Sequence, residues 1–194
     1  MRVIAGTAKG RKLRVPAGLH VRPSGARLRE SAFGILEHRG AIDGARVLDL
    51  FAGTGALGIE ALSRGAQSVV FVEREPAVAR ALAANLARLG AADAARIETC
   101  EALAFLDGPA ERCDVVFLDP PFGRGLLAPA CARLAAGGWL APDARIYLES
   151  RLESRLDSAA TDDAALPAGW CVLRDRCAGQ VHYRLAACDE SSGA

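Results

Sequence analysis

Two short stretches of this chain carry residue types that could do chemistry. The first is Val115-Val116-Phe117-Leu118-Asp119-Pro120-Pro121-Phe122. An apolar run delivers a carboxylate at its end, and two prolines then forbid helix and fix the local backbone. The Pro120 carbonyl therefore has no helical N–H to accept. Asp119 and that carbonyl can both accept from one planar NH₂ group, while Phe122 can stack on the ring that carries it. Holding both amino protons favours rehybridisation of the nitrogen and makes its lone pair available for in-line attack on an electrophilic methyl. The plainer reading of the same residues is a Pro-Pro loop with an Asp cap and a core Phe.

The second stretch is Leu48-Asp49-Leu50-Phe51-Ala52-Gly53-Thr54-Gly55-Ala56-Leu57-Gly58. Glycines between a strand and a helix let the backbone approach a ligand and leave N–H groups open to an anionic group. Gly53, Gly55 and Gly58 satisfy G-x-G-x-x-G, and Glu73 stands 20 residues after Gly53, where an acid for ribose hydroxyls belongs. These features alone also fit a nicotinamide- or flavin-binding domain. Asp49 shifts the balance: a diphosphate would find a carboxylate at that strand end unwelcome, whereas a ligand bearing an ammonium and a sulfonium would find it attractive. S-adenosylmethionine is such a ligand, and D-x-F-x-G-x-G, here Asp49 to Gly55, is the pattern its common α/β enzymes use. Each feature also has a purely structural reading. The glycines could make a tight turn, and Glu73 could be a solvated carboxylate. Glu101 could meet an adenine amino group, or merely be an acid stabilised at a helix N-terminus.

Both stretches need a scaffold that sets strand ends side by side. Arg46–Phe51, Ser68–Glu73, Cys113–Leu118 and Ala144–Glu149 read as buried parallel strands, with Arg96–Thr99 as a fifth. Between them lie helical patterns at 56–64, 76–89, 102–106 and 125–136; Pro76 suits a first helical position and Gly90 a stop. This alternation indicates βαβ units. Cys171–Cys177 and Val181–Ala187 bracket Ala178-Gly179-Gln180 and read as an antiparallel hairpin. The expected architecture is α/β: a Rossmann-like, mostly parallel seven-stranded sheet with a C-terminal antiparallel hairpin.

The chain is 194 residues, 51% apolar and 24% charged, with a net charge of +1. That length suits one domain with a small appendage. The near-neutral total conceals an asymmetry. Residues 1–29 hold Arg2, Lys9, Arg11, Lys12, Arg14, Arg22, Arg27 and Arg29 with no acid, a net +8, which leaves −7 for residues 30–194. A basic segment on an acidic body points to a polyanionic partner. Within it, Arg2–Ala5 and Arg11–Val15 could pair as a small hairpin, and 26–38 has helical spacing. The expected organisation is a basic extension at 1–40, a catalytic domain at 41–188 and a disordered tail at 189–194. The longest uncharged runs, Leu50–Ile59 and Ala164–Leu173, are ten residues each, against the ~20 of a membrane helix. With no signal-peptide pattern either, a cytoplasmic monomer is expected. Six cysteines without a C-x-x-C pair are expected to be buried free thiols, with no metal site.

Taken together, these residues resemble the class I S-adenosylmethionine-dependent methyltransferases with a (D/N)PP(F/Y) motif. The whole chain more particularly resembles the RsmD family, the bacterial 16S rRNA (guanine-966-N2)-methyltransferases. The matching segments are Arg2–Gly6, Lys9–Leu13, Arg22–Ser24 with Arg27–Glu30, Leu48–Ser63, Asp119–Phe122 and Ala178–Val181. The resemblance implies that Asp49, Gly53 and Gly55 hold the methionine part of S-adenosylmethionine, Glu73 its ribose, and Glu101 with Ala102 its adenine, with Phe51 a further cofactor-binding residue. It assigns Asp119, Pro120, Pro121 and Phe122 to catalysis, and 16S rRNA or an assembling small ribosomal subunit as partner. Ser24 stands where Thr is usual, Gly25-Ala26 lacks a frequent acid, and Glu101 stands where Asp or Asn is commoner. Two other classes stay open at this point: another amino-methyltransferase of DNA or protein, and a non-catalytic dinucleotide- or RNA-binding module.

Overall fold

The computed structural model describes residues 1–16, 25–151 and 166–188. The expected tail at 189–194 and Arg22 lie outside them. Seven strands form one sheet: β1 (Arg46–Asp49), β2 (Ser68–Val72), β3 (Ala95–Glu98), β4 (Cys113–Leu118), β5 (Leu140–Arg151), β6 (Trp170–Ala178) and β7 (Val181–Cys188). Their order is β3-β2-β1-β4-β5-β7-β6, with β7 antiparallel to both its neighbours and the other pairs parallel. The helices are α1 (Gly25–His38), α2 (Ala56–Ser63), α3 (Pro76–Leu89), α4 (Ala102–Leu106) and α5 (Leu127–Ala136).

Side chains of the parallel strands feed two cores alternately, as a sheet covered on both faces requires. Val47, Val69, Phe71, Val115, Phe117 and Tyr147 join one cluster with residues of α1, α2 and α3. Leu48, Val72, Val116, Leu118, Ile146 and Leu148 join the other, under α4 and α5. Pro76 opens α3 and Gly90, at φ 69°, closes it as the sequence implied. β5 is longer than expected, twelve residues in place of six, because its first part pairs at Cys113–Leu140 before a register shift against β4. The β6–β7 turn is tight, with Gly179 at φ 62° between the strand ends.

The basic N-terminal segment packs on this body. Arg2 and Lys12 form an antiparallel bridge, extended by the Val3 N–H to the Arg11 carbonyl and the Leu13 N–H to the Met1 carbonyl. Val3 and Leu13 are buried in the same cluster as Phe33, Leu36 and Val47. Ser63 on α2 bonds Ala5, Thr7 and Ala8, and Asn85 on α3 pairs with both backbone groups of Arg14. Gly6 is required at this docking point: its φ is 76°, and a Cβ there would lie 1.7 Å from the Ser63 carbonyl oxygen.

The cysteines depart from expectation. All six are free, but only Cys113 and Cys131 are buried; Cys171 and Cys177 are exposed. They sit on β6, the edge strand of the sheet, most of whose residues are exposed. No helix among the described residues is long and apolar enough to cross a membrane.

Candidate active site

The carboxylates singled out in the sequence come together through strand periodicity. Asp49 ends β1, while Glu73 and Asp119 stand one residue beyond β2 and β4. Each continues the alternation of Val47, Phe71 and Phe117, so all three face the α1–α3 side. Neighbouring registers align these strand ends: Asp49 pairs with Phe71 on β2 and with Phe117 on β4. A cavity of about 440 Å³ lies there, outside the carboxyl ends of the strands, where open α/β sheets bind their ligands.

Around that cavity the glycine turn forms one wall. The Asp49 carboxylate is buried and accepts the Gly58 N–H at 2.9 Å. Burial pushes its pKa up to about 7, opposed by that bond and reinforced by the negative charges of Asp119 and Glu73. Glu73 is anchored by two backbone donors, the N–H of Gly53 at 2.8 Å and that of Glu75 at 2.8 Å. A carboxylate has about four acceptor positions, so two stay available for hydroxyl groups. Glu101, exposed at the start of α4, lies 3.5 Å from Arg74, and Ala102 beside it is buried. Phe51, Gly53, Asp119, Pro120 and Pro121 complete the part of the wall that sequence reasoning identified.

Three expectations change. Gly55 is not on the cavity wall; with φ at 78°, it is demanded by the turn and by Leu82, whose Cδ1 would lie 2.3 Å from a Cβ. Phe122 is half-buried against the α1-side core and is likewise off the wall. Arg29, expected among phosphate-binding residues, is 6% exposed. Its Nη2 donates to the Arg2 carbonyl at 2.9 Å, its Nη1 reaches the Met1 sulfur at 3.4 Å, and its Nε lies 4.0 Å from Glu60. The spacing of α1 puts Arg29 beside Leu28 on the buried face. Burial lowers its pKa, partly offset by Glu60 and Glu149. Arg2, Lys9, Arg11, Lys12, Arg14 and Arg27 are exposed.

Sequence reasoning missed a second wall. Met1, Leu28 and Arg29 reach the cavity from the N-terminal segment and α1, and Glu149 reaches it from β5. Glu149 is 7% exposed and accepts the Tyr147 hydroxyl at 2.9 Å. Burial and the charges of Glu149 and Asp119 push the Tyr147 pKa well above its ordinary value, so the phenol stays a donor. The signal for Glu149 was an acid in an otherwise apolar strand, Ile146-Tyr147-Leu148-Glu149. Among the described residues, no three His, Cys, Asp or Glu side chains gather to hold a metal ion.

The residues present fit S-adenosylmethionine. A buried carboxylate suits its cationic end, a backbone-anchored glutamate suits ribose, and the volume suits a ligand of that size. Fold and site define a class I S-adenosylmethionine-dependent methyltransferase. The family model described as Conserved hypothetical protein 95 matches residues 1–187. The chain is 43% identical over 185 residues to ribosomal RNA small subunit methyltransferase D of Escherichia coli K12, covering 95% of this chain and 88% of that one. It is 39% identical over 188 residues to the protein of the same name from Haemophilus influenzae, covering 95% and 92%. Among solved structures, the methyltransferase yhhF of Escherichia coli superposes with a TM-score of 0.85 at 41% identity, covering 97% of this chain and 98% of that one. The chain belongs to the family of the ribosomal RNA small subunit methyltransferases D.

Proposed function

We propose that this enzyme methylates the exocyclic N2 of a guanine in 16S rRNA, the base that the family's name numbers 966, on naked rRNA or an assembling small subunit in the cytoplasm. The carrying observation is that Asp119 and Pro120 share one cavity with Asp49, Glu73 and Glu101. In this reading Asp49 and Gly53 hold the methionine end of the cofactor, Glu73 the ribose, and Glu101 with Ala102 the adenine, with Phe51 also lining the cofactor's place. S-adenosylmethionine, when bound, supplies the electrophilic methyl.

The Asp119 carboxylate and the Pro120 carbonyl accept the two amino protons and aim the nitrogen lone pair into the cavity. That contribution is orientation and electrostatics. The proton that the methylated nitrogen sheds passes to solvent. Phe122 stacks on the base once its ring turns from the core toward the cavity. Pro121 holds the loop rigid behind it.

A guanine amino group is paired in a duplex, so the target must lie in a loop or be flipped out. Residues 1–40 serve as the RNA-contacting part, with Arg2, Lys9, Arg11, Lys12, Arg14, Arg22 and Arg27 toward phosphates. The enzyme acts as a monomer. The test is to incubate small subunits lacking the modification with tritiated cofactor and map the label. One labelled guanine in 16S rRNA is the expected result; label on protein, on another base or nowhere refutes the reading.

A further inference from the structure

Arg29 stands in the cavity wall with a charge that its own partners answer only in part. It is nine-tenths buried, and its Nε has no hydrogen-bond partner. Among the described residues its one ion-pair partner is Glu60, at 4.0 Å. That carboxylate already accepts the N–H groups of Ile4 and Ala5 and an Arg64 donor at 2.8 Å. Nη2 of Arg29 donates to the Arg2 carbonyl, and Nη1 meets the Met1 sulfur, a weak acceptor. A guanidinium carries five N–H donors, so this one enters the wall of a ligand cavity short of acceptors and of negative charge.

Its position fixes which part of the cavity it serves. The Met1 sulfur lies 3.4 Å from Nη1 of Arg29 and 3.9 Å from Oγ1 of Thr54, so a single atom separates the guanidinium from the glycine turn. Gly53 and Thr54 of that turn line the cavity together with Asp49, the end proposed for the methionine part of the cofactor. That part carries an ammonium and a carboxylate on one carbon. Asp49 suits the ammonium, and the carboxylate needs a cation close by. Among the described residues, six carboxyl side chains line the cavity against two arginines, Arg29 and Arg74. Arg74 is exposed and lies against Glu75 and Glu101, on the side proposed for the adenine. Arg29 is the arginine at the methionine end.

We infer that Arg29 is a cofactor-binding residue whose guanidinium takes the carboxylate of S-adenosylmethionine while Asp49 takes its ammonium. This rests on the methionine end lying beside Asp49, as proposed above, and adds the group that reads its anionic half. A carboxylate on a guanidinium is a charge-assisted pair, and in a buried site it completes the compensation that Glu60 alone leaves unfinished. The site thereby selects the whole amino-acid head group, since an amine without its carboxylate leaves Arg29 facing no anion.

The test compares S-adenosylmethionine with decarboxylated S-adenosylmethionine, which keeps the sulfonium and the amine and lacks the carboxylate. Calorimetry measures both affinities for the wild type, Arg29→Gln and Arg29→Lys. The wild type should bind the complete cofactor at least about tenfold more tightly, the effect of a hydrogen bond to a charged group. In Arg29→Gln the ratio should fall to about one or below, because the remaining wall is rich in carboxyl groups and favours the more cationic ligand. Arg29→Lys keeps the charge and should recover part of the ratio. A purely structural Arg29 would weaken both ligands alike and leave the ratio unmoved, which overturns the inference, as does a wild type indifferent to the carboxylate. A crystal structure of the wild type with S-adenosylhomocysteine, which retains the carboxylate, gives a second reading that needs no variant. A carboxylate oxygen is expected about 2.7–3.2 Å from an Arg29 nitrogen. A carboxylate held by other groups while the ammonium sits at Asp49 overturns the inference. An amino-acid end lying away from Asp49 would instead refute the cofactor placement proposed above, so the two failures are distinct.

Discussion

Glu60, 1% exposed on α2, accepts the backbone N–H of Ile4 at 2.8 Å and, through its other oxygen, that of Ala5 at 2.9 Å. Arg64 donates to the same carboxylate at 2.8 Å, and Arg29 approaches to 4.0 Å. One buried acid thus ties the basic segment, α1 and α2 together, and with them the Met1–Leu28–Arg29 side of the cavity. The charge asymmetry of the sequence therefore belongs to a docked surface with only its outer side chains free for a polyanion.

Replacing Glu60 with Ala strands two backbone donors and leaves Arg29 and Arg64 without their shared anion. Removing one partner from a buried ionic cluster costs about 3–5 kcal/mol. Urea unfolding should show a loss of that order, together with weaker binding of S-adenosylmethionine. A loss below about 1 kcal/mol would show that the N-terminal segment is held mainly by Val3 and Leu13.

Asp119→Ala removes one of the two acceptors proposed for the amino group while leaving the glycine turn untouched. Deleting one preorganised polar partner of a reacting group costs on the order of 100- to 1000-fold in kcat. Cofactor affinity by calorimetry should stay within about threefold of wild type. Turnover at the wild-type rate would take Asp119 out of the mechanism.

Asp49 makes the enzyme sensitive to pH in a defined direction. Its value of about 7 in the fold lies above 3.8, so its contribution to stability is fully present below about pH 3.8 and is lost as pH rises through about 7. Asp49→Asn keeps an oxygen for the Gly58 N–H and has no proton to lose. Its melting temperature relative to wild type should climb between pH 4 and pH 8, and a constant difference would contradict the burial argument. A cationic ligand favours the ionised carboxylate, so binding of S-adenosylmethionine to the wild type near pH 6 should release a proton. Calorimetry in buffers of different ionisation enthalpy measures that release, which Asp49→Asn should abolish.

Replacing Arg11, Lys12 and Arg14 together with Gln should lower RNA affinity more at low salt than at high salt. Each phosphate left without its cation takes about 0.7 from the slope of log affinity against log salt, so three of them lower it by about 2. Filter binding across a salt series measures it. An unchanged slope would place the RNA elsewhere on the surface.

Much of the site was legible because its parts are local. Asp49 through Gly58 and Val115 through Phe122 each carry their chemistry within a dozen consecutive residues, and strand alternation then aims Asp49, Glu73 and Asp119 to one side. Helix termini at Pro76 and Gly90 were legible for the same reason, since each depends on the conformation of its own backbone. The place of Gly55 was not legible, because a left-handed glycine looks the same in sequence whether it faces a ligand or Leu82.

What the amino-acid sequence determined by itself was the chemistry of each segment: an acid after an apolar strand, a glycine turn, a basic start. Tertiary structure alone decided which segments meet. Arg29 turns inward because α1 buries that face, although its charge pattern matches the exposed arginines around it. Glu149 becomes a neighbour of Asp119, thirty residues earlier, only because β5 pairs with β4 in one particular register. Such pairings are set by hydrogen bonds between distant strands and by the shared burial of both faces, and no periodicity within either segment encodes its partner.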